Sequence, residues 1–306
     1  MDDYLSPLTS ILDEAGVGEE LKESILRIGY ILRDRIIKYI RDIPLISRVL
    51  REASLHLAGR GKFIRGLYTY FFSKGLDIDE ESSLILATST ELYHLASLIH
   101  DDIIDKAPYR RGLESVHNKF GIDTAIIAGD LLIVYSNYLL SDLGCEVIKI
   151  FASAGVKLAD GESMELETPP KNLDEYYRLI RLKTSSVFEA MFESAVVLSE
   201  RYDIRIDARE MGRYLGYAFQ MSDDLLDRIG DPNLMGKLTG MDRRENNIIE
   251  ILMKEGRSFE EAIEITRRLI RENIDVAVKY LDRIDIKPSY KSILLTLIYL
   301  LEGRNL

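Results

Sequence analysis

Apolar residues recur at three- and four-residue intervals along most of this chain, the spacing that lays one stripe along a face of an α-helix. Leu21, Ile25, Ile28, Leu32, Ile36 and Ile40 form one such stripe. The stretch from Ser82 to Asp105 is apolar nearly all round, with Leu84, Leu86, Leu92, Leu95, Leu98 and Ile99, which predicts a helix enclosed by others. Period-two alternation and hairpin turn signals are essentially absent, so no strand is expected. Seven prolines, Pro7, Pro44, Pro108, Pro169, Pro170, Pro232 and Pro288, bound long blocks in which helix is not interrupted. Gly59-Arg60-Gly61, Pro108 to Gly112, Gly121, Thr168-Pro169-Pro170, Gly230-Asp231-Pro232 and Gly256 stand between periodic runs and read as connections. No linker or composition shift divides the chain, and the expectation is one all-α domain over residues 1–306.

Composition narrows the class. Of the 306 residues, 46% are apolar and 30% charged, the balance of a folded globular protein and not of a disordered one. A net charge of −11 argues against a nucleic-acid partner, which requires a basic face. The single cysteine, Cys145, rules out a disulfide framework and a cysteine-rich zinc site, and points to a reducing, cytoplasmic setting. Asp2, Asp3, Asp13, Glu14, Glu19 and Glu20 crowd the first twenty residues, so no signal peptide is expected. The most apolar run, from Ile293 to Leu301, is shorter than the roughly 20 residues that span a bilayer, so no transmembrane segment is expected either.

Candidate chemistry lies in two Asp-Asp-x-x-Asp clusters. Asp101 and Asp105 share a helix face at i and i+4, with Asp102 beside them; Asp223, Asp224 and Asp227 repeat the arrangement. Like charges about 4 Å apart repel by roughly 4 kcal/mol at an effective dielectric near 20. Acidic clusters are often only solvated charge. Here the neighbours are Leu98, Ile99, Ile103 and Ile104 in one case and Phe219, Met221, Leu225 and Leu226 in the other, where ionised carboxylates need a cation. Oxygen-only donors suit Mg²⁺, which bridges few carboxylates to substrate phosphates.

The stretch from Glu91 to Asp105, followed by Arg110-Arg111-Gly112, resembles the first aspartate-rich motif of the trans-type polyprenyl diphosphate synthases. Phe120-Gly121, Gly129-Asp130-Leu131-Leu132, Gly161-Glu162, Lys183-Thr184, Phe219-Gln220, the second cluster, Gly236-Lys237 and Asp242 follow in that family's order. The resemblance implies a helical bundle around a central cavity, and an enzyme that joins isopentenyl diphosphate to an allylic diphosphate. It implies Mg²⁺, three ions with substrate bound, held by Asp101, Asp102, Asp105, Asp223, Asp224 and Asp227 and gripping the allylic diphosphate. Arg110, Lys183 and Lys237 would add positive charge to that group. Gln220 and the backbone carbonyl of Lys183 or Thr184, with Phe219 nearby, would face the allylic cation. Lys62, Arg65, His94 and Arg111 would bind isopentenyl diphosphate without metal. A homodimer is implied as well.

Bland readings stand beside these. Arg110 and Arg111 could be solvated loop charges, Lys62 and Arg65 structural partners of the many acids, and His94 a satisfied core histidine. His100 and His117 are read as structural. The resemblance implies that the residues four and five before the first aspartate floor the elongation pocket; here they are the small Ser97 and Ala96, which argues against stopping at fifteen carbons. Tyr93, one turn deeper, is the candidate floor, giving a product of twenty carbons (geranylgeranyl diphosphate) or longer. Against the family pattern, Phe63 replaces an arginine, Arg60 a glycine and Gly66 a proline, Asn247 marks a segment that lacks a lysine, and Glu165 stands where glutamine is common. These departures keep a non-catalytic subunit of a heteromeric synthase as the alternative. Glu91-x-x-His94 and Glu114-x-x-His117 match a di-iron element, but Pro108 and Gly112 separate them. A terpene cyclase would carry a different second motif.

Overall fold

The computed structural model describes residues 5–229 and 247–303. Lys237, together with Gly236 and Asp242, lies outside the described residues. The chain divides into two compact units, whose described residues are 5–70 with 79–143, and 71–78 with 144–229 and 247–303.

In the first unit, α1 (Ser6–Glu14), α2 (Glu19–Asp42), α3 (Arg48–Leu55) and the first half of α4 (Ile64–Gly75) precede α5 (Glu80–Ile104). The expected α2 stripe is buried at Ile25, Ile28, Leu32, Ile36 and Ile40. Each such side chain contributes roughly 1.5–3 kcal/mol when removed from water. α5 starts at Asp79, whose carboxylate accepts the Ser82 N–H, and it is buried on several faces, as its unbroken apolar composition predicts. It ends at Asp105, because Lys106 turns into the left-handed region at φ 54°.

Residues Tyr109–Arg110 (β1) and Leu113–Glu114 (β2) form a two-stranded antiparallel hairpin where no strand was expected. Its central residues, Arg111 and Gly112, have φ of 54° and 72°, the double positive of a type I′ turn. Strands of two residues are too short to leave an alternating pattern.

After α6 (Val116–Phe120), α7 (Ile122–Leu140) packs on α5 and α3. This helix and the turn after it, 22 residues to Leu143, are long and apolar enough to cross a membrane, which corrects the expectation that no segment qualifies. Asp123 and Asp130 interrupt the apolar run and hid its length. One face of α7 is buried at Ala125, Ala128, Leu132, Ser136 and Leu139, while Ile122, Ile126, Val134 and Tyr138 are exposed on the other.

The second unit contains α8 (Cys145–Glu167), α9 (Leu173–Ile180), α10 (Ser186–Leu198), α11 (Arg205–Ile229), α12 (Ile248–Lys254), α13 (Phe259–Arg283) and α14 (Pro288–Gly303). α8 stops just before Pro169-Pro170, and α13 opens on a reciprocal cap between Ser258 and Glu261. Between α9 and α10, residues Arg181–Ser185 widen into a π-helical turn. Such a turn inside helical structure recurs at functional sites, and this one carries Lys183 and Thr184. It can sit against α11 only because position 216 is glycine: a Cβ there would fall 2.5 Å from Ser185 Cα.

Candidate active site

In the first unit the aspartate cluster lies at the C-terminal end of α5. Asp102 is fully buried, whereas Asp101 and Asp105 are half-buried. Arg110, itself buried on β1, donates through Nε to Asp102 Oδ1 at 2.7 Å. A buried carboxylate and guanidinium thus neutralise each other, and removal of either would strand a charge. The hairpin is therefore tied to the aspartate helix by the first of its two arginines.

The second arginine faces the rest of the basic set. Arg111 donates to the carbonyls of Leu57 (3.3 Å) and Arg60, so Arg60 contributes here through its backbone. Burial, with Arg110 and Arg65 nearby, pulls Arg111 down to about 10 against an opposing pull from Glu91. Arg65 Nη1 donates to His94 Nε2 at 3.2 Å. Burial first, then Arg65, Arg111 and Arg110, holds His94 well below its usual value, so the ring is neutral with its proton on Nδ1. Lys62 lies three residues before Arg65, ahead of α4, on the loop that Phe63 closes with φ 50°. Phe63, in place of an arginine, is buried. The structure brings Arg65, His94 and Arg111 together around the buried carboxylate of Glu91, a cationic surface suited to a polyanion.

Tyr93, the candidate length residue, is half-buried on α5 and donates its hydroxyl to Asn137 Oδ1 at 2.7 Å. Ala96 is fully buried and Ser97 half-buried on the next turn.

In the second unit Asp223 is exposed, Asp224 half-buried and Asp227 buried. Asp224 accepts three hydrogen bonds: from Tyr176 Oη (2.8 Å), Gln220 Nε2 (2.9 Å) and the Ile248 N–H (3.1 Å). Burial pushes this carboxyl up to about 7, although the three donors and Asp223 pull in opposite directions. Gln220 is fixed at both ends, since its Oε1 accepts the Thr184 hydroxyl at 2.6 Å. Lys183 pairs with Glu162 at 2.9 Å and with Glu165. Burial lowers the ammonium, but the two carboxylates outweigh it and hold Lys183 above its ordinary value. The glutamate at 165 thus contacts the very lysine that resemblance assigned to the diphosphate.

All six aspartates offer carboxylate oxygen with no thiolate or imidazole among them, a donor set that fits a hard divalent cation. Among the described residues, no three acidic, imidazole or thiol groups converge where an ion would sit. Asp102 faces Arg110, and Asp224 faces Tyr176, Gln220 and Ile248. The chemistry of the donors fits Mg²⁺; the present rotamers of Asp102 and Asp224 serve protein partners.

Residues 47–281 match the polyprenyl synthetase family. The chain belongs to that family. It is 30% identical over 298 residues to the octaprenyl diphosphate synthase of Haemophilus influenzae, spanning 86% of this chain and 90% of that protein. It is 34% identical over 242 residues to a short chain isoprenyl diphosphate synthase of Methanocaldococcus jannaschii, spanning 74% and 73%. A polyprenyl synthase of Caulobacter crescentus, solved with calcium and isoprenyl diphosphate, superposes with a TM-score of 0.82 over 93% of this chain and 98% of its own, at 23% identity, and shares the fold. This polyprenyl synthetase is all-α and a prenyltransferase that builds prenyl diphosphates by chain elongation. The di-iron alternative falls: Glu114 sits on β2 and His117 on the five-residue α6, so the second Glu-x-x-His is not an element of one core helix.

Tyr176 and Asn137 carried no signal in the sequence, and Glu162 and Asn247, visible there as a motif residue and a departure, gave no sign of the contacts they make. Asn247 donates to the Asp224 carbonyl at 2.9 Å and caps α12 by accepting the Ile249 N–H. An asparagine ahead of an apolar run was the available signal for that cap. Tyr176 and Asn137 reach their partners across 48 and 44 positions, where no periodic signal survives.

Proposed function

We propose that this family member is a Mg²⁺-dependent synthase condensing isopentenyl diphosphate with an allylic diphosphate to a product of twenty carbons or longer. The observation that carries the reading is the basic set of the first unit, Arg65, His94 and Arg111, beside an aspartate cluster whose Asp102 already holds Arg110. An acidic chain can take a diphosphate on that surface through side-chain cations alone. Asp101, Asp102 and Asp105, and Asp223, Asp224 and Asp227, would hold the metal. Bound Mg²⁺ would supply charge neutralisation of the leaving diphosphate. Asp102 would keep the Arg110 guanidinium in place as a donor to that diphosphate. Lys183 would add a cation once drawn from its carboxylates. Gln220, locked by Thr184 and Asp224, would present an amide dipole to the developing allylic cation while offering no nucleophile. His94, neutral, would orient Arg65 on isopentenyl diphosphate.

The exposed apolar stripe of α7 supports a homodimer, and the acidic, single-cysteine chain supports a cytoplasmic enzyme. Incubation of the purified protein with Mg²⁺, labelled isopentenyl diphosphate and primers of several lengths tests the reading. The expected result is a metal-dependent ladder of products ending at or above twenty carbons. Absence of elongation with every primer would leave the partner-subunit reading in its place.

A further inference from the structure

The seam between α5 and α7 is antiparallel and carries several polar rungs. Toward the aspartates, His100 Nε2 donates to the Ile126 carbonyl at 3.2 Å. At the far end, Ser136 Oγ donates to the Ser89 carbonyl at 2.9 Å. Between these two along α5, the Tyr93 hydroxyl donates to Asn137 Oδ1 at 2.7 Å and so joins two side chains. On the stripe running back from Asp101 through Ser97 to Tyr93, the tyrosine is the first large side chain. It lies eight residues from Asp101, about 12 Å along the axis at 1.5 Å per residue.

A tyrosine hydroxyl in a half-dry seam needs a partner, and Asn137 supplies one that cannot swing away. The Asn137 amide donates through Nδ2 to the Ile133 carbonyl at 3.1 Å, which fixes the face that Oδ1 presents. Burial raises the Tyr93 phenol, so the hydroxyl remains a donor. The ring is pinned at its root by α5 and at its tip by α7. A hydrocarbon chain pressing on a ring held at both ends meets a rigid stop, whereas a ring held only at its root can change rotamer and let the chain pass.

We propose that Asn137 is a positioning residue for product length, acting through Tyr93 as a two-residue stop. This rests on the chain-elongating reading above. Asn137 does not touch substrate; it denies Tyr93 its alternative rotamers.

The test compares product lengths from the full-length protein carrying Tyr93→Phe, Asn137→Leu, both together, or Tyr93→Ala. Tyr93→Phe keeps the ring and removes the donor; Asn137→Leu keeps comparable bulk and removes the acceptor. Each single variant is expected to move the main product at least one five-carbon unit longer, with the KM for isopentenyl diphosphate unchanged. The double variant is expected to go no further than either single one, since both remove the same bond. Wild-type length in both Tyr93→Phe and Asn137→Leu overturns the proposal, as does an additive double variant. Should Asn137→Leu fail to fold, Tyr93→Phe decides alone. Failure of the elongation reading shows differently, as no product from wild type.

Discussion

Gly66 donates its backbone N–H to the Glu91 carboxylate at 2.7 Å. It is the third residue of α4, where a helix leaves its amide groups without intrahelical acceptors, and a buried side chain of α5 supplies one. Burial raises Glu91, and the Gly66 N–H, Arg65 and Arg111 pull it back. The position must also be bare: a Cβ would lie 2.8 Å from Glu91 Cγ, 2.9 Å from Leu32 Cδ1 and 3.2 Å from the Ala87 carbonyl. The departure from a proline to glycine at 66 is thus matched to the acid beneath it.

Gly66→Ala is expected to destabilise the protein by roughly 1–3 kcal/mol through overpacking. Gly66→Pro removes the donor as well, adding about 1–3 kcal/mol for the unsatisfied carboxylate, since proline is tolerated in a first helical turn on backbone grounds. Urea denaturation measures both. Glu91→Gln in the proline background should recover part of the loss; no recovery would assign the whole effect to steric contact.

His94 gives the stability a pH dependence. Its folded value lies well below 6.5 through burial and the cations Arg65, Arg111 and Arg110. The unfolded chain therefore binds a proton near pH 6.5 that the folded chain refuses, and stability falls as pH drops through and below that value. One group contributes at most about 1.4 kcal/mol per pH unit in that window. Denaturation curves between pH 7.5 and 5.5 should show a shallower decline for His94→Gln than for wild type. Equal slopes would mean that His94 does not carry the shift.

The outward face of α7 leads to a prediction about assembly. Ile122, Ile126, Val134 and Tyr138 lie on one stripe at multiples of four residues, with the exposed Asp130 between them, and are exposed. Val134→Glu, which adds a second charge to that stripe, is expected to give monomers in sedimentation velocity where the wild type is expected to give dimers. A dimeric variant would locate the contact elsewhere.

The periodic stripe of α2 and the enclosed pattern of α5 were legible because burial on a helix repeats every three or four residues. The paired aspartates were legible because i and i+4 share a face. What spacing could not convey is which way a side chain turns once it has a choice of partner. Asp102 and Asp224 look equivalent along the chain, yet one is neutralised by Arg110 and the other rests on Tyr176, Gln220 and Ile248. The hairpin carrying Arg111 was invisible for a related reason. Its conformation is set by two left-handed residues and not by any run of strand formers.

Glu165 offers the sharpest contrast with the family pattern, in which a glutamine is common at this place. Buried on α8, its carboxylate contacts Lys183 while Glu162 holds the same ammonium at 2.9 Å. Two carboxylates on one lysine leave a local net charge of the wrong sign for a diphosphate. To serve as a cation toward substrate, Lys183 must leave both. Glu165→Gln keeps a hydrogen-bond acceptor and removes one competing charge. It is expected to lower the KM for the allylic diphosphate about tenfold, equivalent to 1.4 kcal/mol, with kcat changed far less. The KM for isopentenyl diphosphate should stay as it was, because the groups proposed to bind it, Arg65, His94 and Arg111, are on other elements. Steady-state kinetics with each substrate varied in turn separates the two. A rise in the allylic KM would instead make Glu165 a residue that positions Lys183, with its charge required.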